Sequence, residues 1–296
     1  MVHSPAKPYQ WRQETRRQRR DGREQPGRAS LSMFAGLFRH RNLVWQMTKR
    51  DVVGRYRGSL LGVSWSLFHP LLMLGVYTFV FSGVFKSRWQ QAGAAQGTAD
   101  FAVVLFAGMI IHGFFAECVN RAPGLVLAVP NYVKKVVFPL EVLPWIGIGS
   151  AMFHMGASLL VLLGGLLLSS IGIRPTTVFF PLVIAPFLML TLGICWFLAA
   201  TGVFLRDLNH AVGVVTTVML FLSPVFYSAS ALPERYAWLL QLNPLTFIIE
   251  QSREVLVWGH APNWLGLGVY GVASLLVAQL GFRWFQKARR GFADVL

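Results

Sequence analysis

Charged residues are scarce in this chain of 296 residues: they make up 13% of it, whereas hydrophobic residues make up 54%. A soluble domain carries charge at about a quarter of its positions, so the composition argues against a soluble globular protein. The apolar residues fall in several runs of roughly 20, the length needed to cross the hydrocarbon core of a bilayer. We therefore expect an all-α membrane protein.

Sequence motifs of several enzyme classes are also absent. No Gly-Lys-Ser or Gly-Lys-Thr phosphate loop occurs, so ATP hydrolysis through such a loop is not expected. Without a His-Glu-x-x-His or Cys-x-x-Cys pattern, no bound metal or other cofactor is expected. The two cysteines, Cys118 and Cys195, lie in apolar segments and do not indicate a disulfide framework. An integral-membrane enzyme is therefore less favoured.

The first 30 residues are polar and rich in Arg, and they lack the pattern of a cleaved signal peptide. We expect residues 1–30 to be a disordered, basic cytoplasmic tail. The net charge of +15 could indicate nucleic-acid binding. However, 14 of the 27 Lys and Arg residues lie in residues 1–57, before the first apolar run, and no folded nucleic-acid module accompanies them. A basic arm beside a membrane anchor is the better interpretation.

The apolar runs predict six transmembrane helices. Their expected ranges are Ser64–Phe85, Phe101–Val119, Leu143–Ile171, Val178–Phe204, Ala211–Tyr227 and Leu265–Trp284. The fifth run is short, and Pro224 is expected to end it early. With the N-terminus inside, 22 Lys and Arg residues lie on the cytoplasmic side and 5 on the other. The positive-inside rule then predicts that both termini are cytoplasmic.

Three segments outside these runs are predicted to be helical. Leu31–Arg50 alternates apolar and basic residues at helical spacing, which is typical of an amphipathic helix in the membrane interface. Val119–Leu140 contains three prolines around a short apolar run, which predicts a short helix on the cytoplasmic face. Ser228–Asn263 is apolar but interrupted, and it is expected to form an external helical pair.

Ionisable residues inside apolar runs are candidates for function because they are costly in a membrane. Glu117 precedes Arg121 by four residues, which predicts an ordinary pair within one helix. His69, His112 and His154 have no evident partner in the sequence, and hydrogen bonding to neighbouring helices is the favoured interpretation. Glu250 and Glu254 lie one turn apart, but Arg253 beside them indicates a solvated face rather than an acid–base pair.

Several short motifs occur in the order found in one family of membrane proteins. They are Arg55-Tyr56-Arg57-Gly58-Ser59-Leu60-Leu61-Gly62 with Trp65 and Pro70, Phe138-Pro139-Leu140-Glu141-Val142-Leu143-Pro144, Arg206-Asp207, Ser223-Pro224-Val225-Phe226-Tyr227, Asn243-Pro244-Leu245 and Gly291-Phe292-Ala293-Asp294. Together they resemble the ABC-2 type permeases of polysaccharide export. The resemblance covers residues 31–296 and leaves out the N-terminal tail.

This resemblance implies a homodimer in the bacterial inner membrane that pairs with two ATP-binding subunits. ATP and Mg would belong to those subunits rather than to this chain. The implied cargo is an O-antigen, capsule or teichoic-acid glycan on a carrier such as undecaprenyl diphosphate. By position, Leu31–Arg50 resembles the interface helix, Arg121–Val137 the coupling helix, and Pro233–Trp238 with Pro244–Val257 the helices over the channel exit.

The resemblance also suggests roles for individual residues, with the first and fifth spans as the conduit and lateral gate. The candidates that would line the conduit or gate are aromatic: Trp65, Tyr77, Phe79, Phe81, Phe221, Phe226 and Tyr227. Those that would bind the lipid diphosphate are basic: Lys49, Arg50, Arg55 and Arg57. Those that would couple to the ATPase subunit are Arg121, Asn131, Tyr132, Lys134 and Lys135. Lipid contact is an alternative role for the aromatic and basic sets.

Two other functions are left open. One is an ABC-2 permease for another amphiphile, such as a drug or a lipid. The other is a membrane enzyme of glycan assembly, for which a large external loop with acid–base residues would have been expected.

Overall fold

The computed structural model describes residues 33, 36–84, 98–134, 138–228, 235 and 237–296. Within these ranges the regular elements are helices and no strand occurs, so the all-α prediction is confirmed. Five helical segments are long and apolar enough to cross a membrane: Gly62–Phe81, Phe101–Gly124, Leu140–Leu168, Pro175–Phe204 and Trp264–Val295. The chain is therefore a multi-pass membrane protein.

The α-helices of the described part are labelled in chain order. They are α1 (Arg41–Arg55), α2 (Trp65–Tyr77), α3 (Thr98–Arg121), α4 (Pro130–Lys134), α5 (Leu143–Leu168), α6 (Phe180–Phe204), α7 (Leu208–Leu222), α8 (Ala237–Leu242), α9 (Pro244–Arg253), α10 (Trp264–Ala288) and α11 (Phe292–Val295). Wider π-helical turns extend α2 through Thr78–Val84 and α9 through Glu254–Trp258.

The fifth predicted span, Ala211–Tyr227, is a helix of only 15 residues, α7. At 1.5 Å per residue it is about 22 Å long, less than the hydrocarbon thickness of about 30 Å. It ends at Leu222 because Pro224 disfavours the helical conformation of Ser223, which is extended with φ −88° and ψ 150°. The early end predicted at Pro224 is thus confirmed, whereas a sixth crossing stays a prediction.

The predicted segments outside the spans are partly described. Within the predicted helix Leu31–Arg50, residues 36–39 and 41–50 are helical, and α1 continues beyond it to Arg55. Between α3 and α5 the chain forms a 3₁₀ turn at Ala122–Gly124 and the short helix α4, rather than one continuous helix. Within the segment predicted to form a helical pair, the structure describes α8 and α9. Residues 1–30, Leu31, Phe85, Lys135, Val137 and Pro233 lie outside the described residues.

Helix α3 lies at the centre of the bundle. In its most apolar window 78% of the residues are buried, compared with 11% for the segment that contains α2. The four helices α1, α2, α5 and α9 all contact α3 or its immediate neighbours. Helix α2 therefore has one face toward the bundle and a large apolar face left exposed, which includes Leu67, Phe68 and Leu71.

Helices α6 and α10 pack together through glycine. A Cβ atom at Gly193 would lie 2.6 Å from the Cα of Ala278, and one at Gly281 would overlap the carbonyl oxygen of Gly193. Small residues allow helix backbones to approach closely, which is how helices associate where lipid removes most of the hydrophobic driving force. This contact fixes the C-terminal span against the bundle.

We predict that Gly281→Ala destabilises the protein because its methyl group cannot fit against the backbone of α6. Overpacking of this kind costs about 1–3 kcal/mol, and the expected result is a lower midpoint of thermal unfolding in detergent. Gly268→Ala in the same helix is the matched control, since nothing lies within 4 Å of a Cβ there. Equal midpoints for the two variants would contradict the packing assignment.

Candidate functional site

A cavity of about 690 Å³ opens between the C-terminal end of α1 and helices α2, α3 and α5; we call it the inner cavity. Three kinds of side chain line it: charged or ionisable ones (Arg55, His69, Glu117 and His154), aromatic ones (Tyr56, Trp65, Tyr77, Phe106 and Phe114) and methionines (Met73, Met109 and Met155). A pocket with mostly apolar walls and a few convergent polar groups is typical of a site that binds an organic molecule.

Glu117 organises the polar end of the inner cavity. Its carboxylate is 2.7 Å from Nη2 of Arg55 and accepts a hydrogen bond of 2.9 Å from Nδ1 of His154. The predicted pair with Arg121 within the same helix is present at 3.9 Å, but Arg55 and His154 lie closer to the carboxylate. His154, for which the sequence offered no partner, thus has one on another helix. Glu117 joins α1, α3 and α5.

The second ring nitrogen of His154 is not engaged by Glu117. Nε2 is buried and has no hydrogen-bond partner among the described residues.

Arg121 forms a second ionic link between α1 and α3. Its Nη2 donates to both carboxylate oxygens of Asp51, at 2.8 and 2.9 Å. These two residues, with Arg50 and Arg55, line a neighbouring cavity of about 570 Å³ that reaches the 3₁₀ turn after α3. Arg121 therefore connects the segment predicted to couple to an ATPase subunit with the interface helix.

The four predicted diphosphate-binding residues divide into two pairs. Arg50 and Arg55 line the cavities just described, whereas Lys49 and Arg57 are exposed and line neither of them. In this arrangement the Arg55 guanidinium is already paired with Glu117. An anion that binds Arg55 must therefore share or displace that carboxylate.

The other two intramembrane histidines differ from His154. His112 is buried and donates from Nε2 to the carbonyl oxygen of Thr216 on α7, at 3.0 Å. This is the hydrogen bond to a neighbouring helix that the sequence interpretation favoured. His69 lines the inner cavity on α2, one residue before Pro70.

The predicted conduit aromatics also separate into two groups. Trp65 and Tyr77 line the inner cavity. Phe81 stacks on Phe226 at 6.4 Å, and Phe226 stacks on Phe221 at 5.9 Å between ring centroids. The Tyr227 hydroxyl donates to the Phe221 carbonyl at 3.2 Å. We call Phe81, Phe221, Phe226 and Tyr227 the outer aromatic cluster. Phe79 belongs to neither group and is 69% exposed.

The interpretation of Arg253 as part of a solvated face is wrong. Its side chain is 1% exposed and is surrounded by carbonyl oxygens from two other segments. Nε donates to Val104 at 3.2 Å, Nη1 to Pro224 at 2.5 Å and Nη2 to Val225 at 2.9 Å. Glu250 pairs with Arg253 at 3.2 Å.

The predicted coupling residues lie on the segment between α3 and α5. Asn131 and Lys134 on α4 are exposed, while Tyr132 stacks on Phe138 with 4.6 Å between ring centroids. Arg121 is engaged with Asp51, and Lys135 lies outside the described residues. Asn131 and Lys134 are thus available to a partner. Arg121 anchors the segment to α1 through Asp51.

Comparisons with known proteins cover most of the chain. The model of the family described as "ABC-2 type transporter" matches residues 42–257. The O-antigen export system permease protein RfbA of Klebsiella pneumoniae is 25% identical over 90% of this chain and 100% of its own length. A protein of the same name in Myxococcus xanthus is 28% identical over 89% and 99% of the two chains. The polysialic acid transport protein KpsM of Escherichia coli is 21% identical over 78% and 88%.

We predict that Glu117 and Arg55 are energetically coupled. Glu117→Gln and Arg55→Gln each leave the partner charge partly buried, so each should lower stability; the double variant removes both charges and should cost less than the sum. Coupling between contacting residues is about 0.5–3 kcal/mol, and the exposure of Arg55 places this pair toward the lower end. Denaturation of all four proteins in detergent measures it. Additive effects would contradict the pairing.

Proposed function

This chain belongs to the ABC-2 type transporter family, and we propose that it is the permease subunit of an ATP-driven exporter of lipid-linked polysaccharide, of the O-antigen or capsule type. The observation that carries the proposal is the consistency of the relatives. Those named above match over 78% to 90% of this chain, and their names concern O-antigen export and polysialic acid transport. The cargo in each case is a polysaccharide.

Membership of this family makes the chain a transporter subunit that works with an ABC ATPase. The proposed complex is a homodimer of this chain with two ATP-binding subunits, which hold ATP and Mg. The exposed side chains of α4, Asn131 and Lys134, are suited to contact with such a subunit. ATP hydrolysis is accordingly assigned to the partner and not to this chain.

The proposed path of the glycan follows α2 and its extension. Along its length, α2 supplies Trp65, His69 and Tyr77 to the inner cavity, and its extension supplies Phe81 to the outer aromatic cluster. Aromatic rings can stack against the apolar faces of sugar rings. These features support a glycan path along the face of the first span.

The diphosphate of the carrier is proposed to bind at the cytoplasmic edge of this path. Arg50 and Arg55 are the preferred ligands because both line cavities there. Guanidinium groups bind phosphate through parallel hydrogen bonds that add geometric specificity. Lys49 and Arg57 are exposed, and contact with anionic headgroups is the role that their position supports better.

A mechanical connection from the ATPase to the path is available through two ionic links. Movement of the segment that contains α4 would act on Arg121, which holds Asp51 of α1. Near the end of α1, Arg55 is in turn bound to Glu117 at the inner cavity. We propose that ATP binding in the partner shifts this chain of contacts between two arrangements, as a two-state element requires.

The proposed membrane arrangement is six crossings in the bacterial inner membrane with both termini in the cytoplasm. Helix α7 alone is too short to cross, so the turn after Leu222 would supply the remaining depth. Backbone at membrane depth must be satisfied within the protein. Arg253 meets that requirement for Pro224 and Val225, which supports placing this turn in the membrane.

Two other functions are less well supported. A permease for a drug or another lipid would be compatible with the family, but the names of the relatives favour polysaccharide. A membrane enzyme of glycan assembly is disfavoured by membership of a transporter family. The experiment that separates them measures ATPase activity of the purified chain in lipid, alone and co-expressed with its ATP-binding subunit.

We expect no ATPase activity from the chain alone, and a stable four-subunit complex that hydrolyses ATP. Deletion of the gene should leave lipid-linked polysaccharide inside the cell. Failure to bind an ATP-binding subunit, together with processing of a lipid-linked sugar by the chain itself, would assign it to the membrane enzymes. Normal surface polysaccharide after deletion, with another amphiphile retained in the cell, would assign it to the other permeases.

We predict that Arg50→Glu combined with Arg55→Glu reduces export while assembly with the ATPase subunit is retained. The physical reason is that two basic groups become anionic where the carrier diphosphate is proposed to bind. Surface polysaccharide and co-purification of the ATPase subunit are the two measurements. Arg290→Glu is the control, because Arg290 is exposed near the C-terminus and lines neither cavity. Loss of assembly in the double variant would instead indicate a structural role.

A further inference from the structure

The end of α7 leaves carbonyl groups that the helix itself does not satisfy. The carbonyl groups of Pro224 and Val225 lie beyond Leu222, the last residue of α7, and are outside its hydrogen-bond ladder, and Pro224 carries no N–H for a regular turn. The backbone here is nevertheless enclosed: Ser223 and Val225 are each 0% exposed. Donors from elsewhere are therefore required, and none can come from lipid.

Arg253 supplies those donors from α9. One guanidinium reaches Pro224 and Val225 after α7 and also Val104 on α3. Its planar fork of five N–H groups can hold three carbonyls in fixed directions, which the single ammonium of Lys cannot do. Arg253 thus joins the external helix to the break after α7 and to the central span.

Gly108 on α3 provides the space that the guanidinium occupies. A Cβ atom at this position would lie 2.9 Å from Nη2 of Arg253, closer than carbon and nitrogen can pack. Gly108 lies one helical turn after Val104, whose carbonyl accepts from Nε. Gly108 on α3 and Arg253 on α9 are far apart in sequence, yet the absence of a side chain at Gly108 leaves the space that the guanidinium fills.

A second hydrogen bond connects the N-terminal end of α9 to the same turn. The Asn243 amide, just before α9, donates to the Ser223 hydroxyl at 2.9 Å, and its oxygen caps the first turn of the helix by accepting from Leu245 at 3.0 Å. Helix α9 is thus attached to residues 223–225 at both of its ends. The turn and the external helix should move together.

Phe226 follows directly after this fixed turn. Its ring stacks on Phe221 and on Phe81 of the α2 extension, and it forms the centre of the outer aromatic cluster. The direction in which Phe226 projects is set by the carbonyl orientation of the two residues before it. Those are the carbonyls that Arg253 holds.

The geometry points to Arg253 as the positioning residue of the outer aromatic cluster: it connects the external helix to the turn that carries Phe226, so that the external helix controls the contact between Phe226 and Phe81. This inference rests on the proposed function, in which the cluster lies on the path of the glycan. Arg253 itself touches no cargo. Its effect on export is exerted through Phe226.

The test measures the position of Phe226 separately from export. Cysteines replace Phe81 and Phe226 in a background in which Cys118 and Cys195 are Ala, and a short bifunctional thiol reagent joins the pair. Two changes are then introduced singly: Arg253→Lys, which keeps the charge, and Gly108→Ala, which displaces the guanidinium without altering it. We expect each to remove most of the cross-linked product in this background, and to impair export when introduced into the chain that keeps Phe81 and Phe226.

Two matched controls accompany these variants. Gly164→Ala adds the same methyl group within a long apolar helix where nothing lies within 4 Å of a Cβ, and it should leave cross-linking unchanged. A second cysteine pair, at Thr48 and Gly149, reports on α1 and α5, because the two Cβ atoms would be 3.5 Å apart. That spacing permits a disulfide, whose yield should be the same in all variants.

The outcomes separate the inference from the function on which it rests. Undiminished Phe81–Phe226 cross-linking in both variants would overturn the positioning role. So would a parallel loss of the Thr48–Gly149 disulfide, of assembly and of ATPase activity, because Arg253 would then serve general stability. Loss of the Phe81–Phe226 product with normal export would support the positioning role and count against the cluster as part of the export path.

Discussion

The structure depends on one constraint: within hydrocarbon, every backbone N–H and C=O must find its partner in the protein. Long helices satisfy it by themselves, and the five apolar helical segments do so. The break at Pro224 cannot, and it is stabilised by a buried arginine that would otherwise be costly in this place. The guanidinium of Arg253 and the carbonyl groups that follow α7 thus satisfy each other.

The ionic contacts around the inner cavity differ from this one. Glu117, Arg55 and His154 come from three different helices, and the pair Arg121–Asp51 adds a second connection between two of them. These side chains are partly exposed, so each contact contributes little to stability by itself. Their arrangement around two cavities makes them better suited to responding to an anionic ligand or to a partner's movement than to holding the fold together.

The two candidate regions are connected along α2 and its extension. The inner cavity has the mixed lining expected for an amphiphile, whereas the outer aromatic cluster is made of stacked rings. Only the outer region is braced by the external helix, through Arg253 and Asn243. The two ends of the proposed path are therefore under separate control, as alternating access to a long cargo would require.

Much of this could be predicted from the sequence because it depends on local properties. Run length and scarcity of charge predicted the spans, and Pro224 predicted the end of α7. What the sequence could not show was which ionisable groups meet. Arg253 was assigned to a solvated face from its neighbours at helical spacing, yet its carbonyl partners lie between 28 and 149 residues away. Glu117 has the expected pair with Arg121, but its closer contacts, Arg55 and His154, come from other helices. Such contacts depend on how the helices pack, and that was decided by close approaches such as Arg253 over Gly108, which have no signature in either segment alone.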